Sequence, residues 1–217
     1  MCDPSEEAAS QLRAIRALME KSTIYRAISA PAAGFAGILS LLVCGWLWSR
    51  RATAVEPGVF LGIWLGVLVL ASLVNFALLY RSARHRGDAF VSAGMKHALQ
   101  AILPPLFAGF VLSVLTMRGD YGGGDHSHAG MASLWILFYG LALLATGSFS
   151  PRSMRALGAA FFVFGLIASV PEMHSLGGSP YEAGVLLMAF SFGLLHLIYA
   201  AAVLMQSRRE SSAPSRA

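Results

Sequence analysis

"GVFLGIWLGVLVLASLVNFALLY", residues 58–80, runs for twenty-three residues without a charge, and its reading decides the fold. A peptide group in hydrocarbon must find its hydrogen-bond partner within the chain, so a run of this length crosses a bilayer as a helix. Five further runs share the pattern, at 28–48, 97–117, 131–149, 153–170 and 181–205. The shortest of them still gives about 27 Å of helix against a hydrocarbon layer of roughly 30 Å. Period-two alternation is absent, which argues against a barrel. The 217 residues are 56% hydrophobic and 12% charged, with a mean hydropathy of +0.64. The expected fold is therefore all-α, a polytopic bundle of six transmembrane helices.

Basic residues give the orientation. Arg13, Arg16, Lys21 and Arg26 precede the first run, Arg81, Arg84, Arg86 and Lys96 follow the second, and Arg152 and Arg155 open the fifth. With Arg208, Arg209 and Arg216 in the tail, thirteen of the sixteen Lys and Arg fall on one side, leaving Arg50, Arg51 and Arg118 on the other. Cytoplasmic loops hold such an excess, so both termini are expected in the cytoplasm. The net charge of +5 is read as topology, and no nucleic-acid partner is expected. Trp46, Trp48 and Trp135 fall near one set of ends and Tyr25 and Tyr80 near the other, as interfacial aromatics do.

Three regions follow. Residues 1–27 hold "DPSEEAASQLRAIRALMEKS", an amphipathic pattern with Ala8, Leu12, Ile15 and Met19 on one face. It suits a membrane surface or a protein partner. Residues 28–205 form the bundle, and the polar residues 206–217 are expected to be disordered. Cys2 and Cys44 lie in unlike settings and read as free thiols. Pro104 and Pro105 fall inside the third run, where they should kink it. Gly58, Gly62 and Gly66 form a stripe of small residues that serves either a homo-oligomer or packing within the chain.

The eleven carboxylates all lie outside the expected hydrocarbon core, which disfavours a proton-coupled pump. Asn75 and His196 are the polar groups at depth. Each should face the bundle, either as helix–helix glue or as part of a solute path. Haem ligation fails on depth, because His97 sits at a run's edge and His196 does not. No HExxH, GxSxG or histidine-rich array is present. Ser191 and His196 point about 140° apart on one helix. An enzyme is disfavoured.

"GDYGGGDHSHAGM", residues 119–131, and "PEMHSLGGSPYE", residues 171–182, fall on the side opposite the termini. Pairs at i, i+2 share a face in extended backbone. His126, His128, Glu172 and His174 thus form a candidate set for Zn²⁺, with Met131 or Met173 tilting it toward copper. An ordinary solvated turn is the simpler reading of the same residues.

"QLRAIRALMEKSTIYRAISAPAAGFAG", "LWILFYGLALLATGSFSPRSMRALG" and "FSFGLLHLIY" together resemble a family of six-span bacterial inner-membrane proteins without an assigned activity. The resemblance implies the bundle and, through genes that neighbour a winged-helix regulator, a role in sensing or regulation. The favoured reading is a non-enzymatic membrane protein that senses, regulates or scaffolds. The alternatives are a small-solute carrier or channel using Asn75 and His196, and an outer-face metal binder.

Overall fold

Long apolar runs can satisfy their backbone only as helices, and the computed structural model of the chain is all-helical. It describes residues 11–12, 30–86, 93–118, 127–147 and 150–212, and among these there is no strand. The helices are α1 (Ala30–Ser49), α2 (Pro57–Arg86), α3 (Ala93–Met117), α4 (Ser127–Ala145) and α5 (Arg152–Ala168). The last run is α6 (Pro180–Met188), a π-helical segment (Ala189–Leu195) and α7 (His196–Ser212) in succession. Five helices are long and apolar enough to cross a membrane. There are up to six if α5 and the short 3₁₀ helix after it, bent by 82°, make one span.

Local chemistry places the breaks. Val170 is extended (φ −72°, ψ 133°) ahead of Pro171, as the residue before a proline prefers, and α5 stops there. The 3₁₀ helix Pro171–Gly178 turns through Gly177 and Gly178, whose φ values of 86° and 111° need glycine. Ser179 then caps α6 by accepting from the Glu182 N–H, with Pro180 in the first turn. Pro104 and Pro105 both lie inside α3 and deprive the carbonyls of Gln100 and Ala101 of their helical donors.

Several boundaries differ from the sequence reading, two of them at the polar ends of helices. α2 continues to Arg86, and α7 continues to Ser212 through residues expected to be disordered. Hydropathy marks where the apolar layer ends, whereas a formed helix propagates into polar sequence at little cost. Arg209, in the last turn of α7, suits the negative end of the helix dipole. The amphipathic segment of residues 1–27 lies outside the described residues apart from 11–12, and so do residues 213–217.

Packing is tightest where glycine lets backbones meet. A Cβ at Gly165 of α5 would lie 2.6 Å from the Leu137 Cα of α4. One at Gly37 of α1 would lie 2.9 Å from the Gly193 carbonyl oxygen in the π segment. α4 sits centrally, with half of its spanning window buried, while α2 and α3 are peripheral at 17% and 11%. Of the Gly58, Gly62 and Gly66 stripe, Gly62 and Gly66 face away from the bundle, since a Cβ at either would meet nothing within 4 Å, whereas one at Gly58 would lie 3.5 Å from the Met117 sulfur. Packing within the chain therefore does not account for those two glycines.

The helix ends near Arg50, Arg51 and Arg118 are tied together. The Tyr181 hydroxyl of α6 donates to the Leu47 carbonyl of α1 at 2.8 Å, and the Ser133 hydroxyl of α4 donates to the Ala168 carbonyl of α5 at 2.7 Å. At the tip of α1, Arg50 lies over Trp46 at 5.6 Å and Arg51 over Trp48 at 5.4 Å. These two indoles sit at a helix end, whereas Trp135 lies well inside its own helix.

A polar-rimmed cavity as candidate functional site

The histidines of the connecting loops resolve first. His128 is in the first turn of α4, 9% exposed, with its ring edge-on to Phe60 and Tyr181 at 5.2 Å each. Its Nε2 lies 2.8 Å from the Val55 carbonyl. A carbonyl only accepts, so Nε2 carries the proton and donates. His128 is therefore a buried pin between α4 and the α1–α2 link, neither a solvated loop residue nor one with a free Nε2 lone pair. We expect His128→Ala to lower stability by about 2 kcal/mol, from the lost hydrogen bond and ring contacts. A drop in thermal midpoint in detergent checks this. A solvated side chain would shift stability by no more than about 0.5 kcal/mol.

The i, i+2 geometry expected of an extended loop is not adopted by the described residues. His128 is α-helical, and Glu172 and His174 lie in the 3₁₀ helix, where side chains two apart diverge. His174 Nε2 stands 3.5 Å from the Ser133 hydroxyl oxygen. Among the described residues no three His, Cys, Asp or Glu are grouped to hold a metal ion, and His126 lies outside those residues.

The deeper polar residues behave differently. Asn75 and His196 both line one cavity of about 250 Å³, walled by every spanning helix. Ser40 of α1, Leu106 of α3 and Met154 of α5 share the wall with them. His196 sits at the junction of the π segment and α7. Its Nε2 is 3.0 Å from the Tyr139 hydroxyl of α4, and its ring stacks on Phe192 at 5.9 Å and meets Phe161 edge-on at 5.3 Å. Ser191 is turned elsewhere, its hydroxyl donating to the Leu187 carbonyl at 2.7 Å, so no Ser–His pair forms.

Four buried side-chain atoms lack a hydrogen-bond partner among the described residues: Trp64 Nε1, Trp135 Nε1, Asn75 Oδ1 and His196 Nδ1. His196 Nδ1 is near the backbone of Ser191 and Phe192, without the geometry of a hydrogen bond. All four residues line this one cavity. An unpaired buried polar atom costs about 1–3 kcal/mol, and native proteins hold few. Their concentration around a single void marks it as a place for polar contacts that the described residues do not supply.

Sequence reading reached Asn75 and His196 through their polarity but missed the indoles. An apolar run that opens at Met131 places Trp135 at the interface. The helix begins at Ser127, which puts Trp135 about 12 Å along it, on the buried face. Trp64, 3% exposed, lies in the middle of an unbroken apolar run that gives no sign of its inward face.

No family model matches the chain, and no curated protein or solved structure matches it.

Proposed function

We propose that the chain is a polytopic bacterial inner-membrane protein, both termini cytoplasmic, that binds a small lipophilic molecule in its central cavity and uses it in a non-enzymatic sensing or regulatory role. The observation that carries this reading is the convergence on one cavity of the four buried polar atoms that have no hydrogen-bond partner among the described residues. Largely apolar pockets with a few fixed polar groups, set between the helices of a bundle, are typical ligand sites. The basic bias of one set of helix ends supports the orientation. The amphipathic pattern of residues 1–27 supplies a surface for a cytoplasmic partner.

The test is what the protein carries. Ala71 lines the cavity, and Ala71→Phe would place a ring in it. Mass spectrometry of detergent-purified wild type should detect a stoichiometric small molecule that the folded variant lacks. Equal retention by both proteins would sink the cavity as the binding site.

A carrier is the second reading, favoured by irregular backbone on two sides of the same cavity. The prolines of α3 are flanked by the lining residues Ile102 and Leu106, and the π segment contributes Phe192. Broken helices line substrate sites in many transporters. Proteoliposome flux lost in Asn75→Ala and His196→Ala would establish it. A metal site on His126, His128, Glu172 and His174 has less support, since His128 Nε2 is committed to Val55.

A further inference from the structure

The cavity's polar atoms are sorted by depth, and this constrains what fits. Trp64 lies seven residues into α2 and Trp135 eight residues into α4, both counted from the end pinned by His128. At 1.5 Å per residue the two indoles share a level about 10–12 Å in. Asn75 lies eleven residues beyond Trp64 on the same helix, or about 16 Å further along. His196, sixteen residues from the start of α6, belongs to that far level too. One polar group cannot serve both levels, so a molecule that satisfies them is elongated and polar at each end.

The chemistry of each level is distinct. Indole N–H groups only donate, so the end beside Trp64 and Trp135 must accept. A carbonyl oxygen, with two lone pairs, can take both. Asn75 Oδ1 accepts, so the far end must donate, as a hydroxyl does. None of the lining residues is Asp, Glu, Lys or Arg. An ionised ligand would be buried without a counter-charge, which is prohibitive. Between the levels the wall is largely apolar and aromatic, broken by the hydroxyls of Ser40, Ser72 and Tyr139, with Tyr139 and Phe192 facing each other at 5.0 Å. The volume of about 250 Å³ exceeds the ~150 Å³ apolar cavity that accepts a single benzene ring.

We infer that the cavity takes an elongated, uncharged, ring-containing lipophile with a carbonyl toward Trp64 and Trp135 and a hydroxyl toward Asn75, entering sideways from the bilayer between α2 and α3. These two helices are the least buried of the bundle and pack mainly on α1 and α4 respectively, with little contact between them. Both contribute to the cavity wall, through Val67 and Leu68 on one side and Ile102 and Leu106 on the other. This inference rests on the reading of the cavity as a binding site and adds the ligand's chemistry to it.

A graded series of probes tests it on the wild-type protein in detergent, read by equilibrium dialysis. The probe 6-hydroxy-2-acetylnaphthalene has both polar ends. The compounds 2-acetylnaphthalene and 2-naphthol each keep one, 2-ethylnaphthalene keeps neither, and 6-hydroxy-2-naphthoate is charged. One net hydrogen bond corresponds to about fivefold in affinity, so the doubly polar probe should bind at least about tenfold tighter than 2-ethylnaphthalene. The single-ended probes should fall between, and the carboxylate should bind weakest. Trp64→Phe with Trp135→Phe should erase only the acetyl contribution, and Asn75→Leu only the hydroxyl contribution. Equal affinity for all the neutral probes would overturn the ligand class and leave the cavity reading standing. Tightest binding by the carboxylate would also overturn the class. Absence of binding by every probe would overturn both.

Discussion

Gly140→Val should separate α4 from α5 and cost at least about 3 kcal/mol of stability. A Cβ at Gly140 would lie 2.5 Å from the Phe162 nitrogen, 2.8 Å from its Cα and 2.9 Å from the Phe161 carbonyl carbon. All three are backbone atoms of α5, so no side-chain rotation relieves the clash and the helices must move apart. Gly165 meets the Leu137 backbone of α4 in the same way, and a Cβ at Gly158 would lie 2.9 Å from the Leu143 Cβ and 3.2 Å from the Leu144 nitrogen, so α4 and α5 pack closely along much of the hairpin. Gly62→Val on α2 is the matched control, because a Cβ there meets nothing within 4 Å. It should shift stability by no more than about 0.5 kcal/mol. Thermal midpoints of the two variants in one detergent decide the matter. Equal shifts would mean that α4 and α5 do not touch as described.

Phe161→Ala is expected to cost about 2 kcal/mol, and the solvent explains why the figure is not higher. Phe161 is fully buried, with Tyr139 at 4.8 Å, Phe192 at 5.1 Å and His196 at 5.3 Å between ring centroids. In a water-soluble core such a truncation costs about 3–5 kcal/mol, part of which is transfer from water. In a bilayer the separated helices remain in hydrocarbon, so the transfer part largely falls away and the lost packing remains. Tyr139→Phe keeps the ring and removes the hydroxyl bonded to His196, at about 1 kcal/mol. Unfolding in mixed micelles should therefore rank Phe161→Ala below Tyr139→Phe in stability. The reverse order would mean that the hydroxyl–imidazole bond, not ring packing, holds this cluster.

The all-helical class and the approximate positions of five or six apolar helices were legible in the sequence because hydrocarbon thickness sets a minimum length, and α1 to α4 begin or end within a few residues of the expected positions. Which face of each helix turns inward was not legible. Lipid and bundle interior are both apolar, so an inward Trp64 and an outward Leu73 look alike in the sequence of α2. Only groups costly to both environments stand out, and the two singled out, Asn75 and His196, are on the cavity wall. Trp135 was misplaced because its helix starts four residues before the apolar run does. The extended reading of the histidine loops failed where local sequence favoured a helix: His128 falls in the first turn of α4, and Glu172 and His174 follow Pro171 into a 3₁₀ turn.

The π segment sets how the faces of α6 and α7 relate. An α-helix turns each residue about 100° from the last, so a uniform helix from Pro180 onward would lock the faces of α6 and α7 in one phase. The wider turn at Ala189–Leu195 breaks that lock. α6 presents Tyr181, Val185 and Met188 to the interior, while α7 presents His196, Tyr199 and Ala200 on a separately set face. The segment works as a phase adjuster between two modules of one rod. The fixed offset it introduces lets His196 and Tyr199 reach the cavity while the Tyr181 hydroxyl at the other end of the rod still reaches the Leu47 carbonyl of α1.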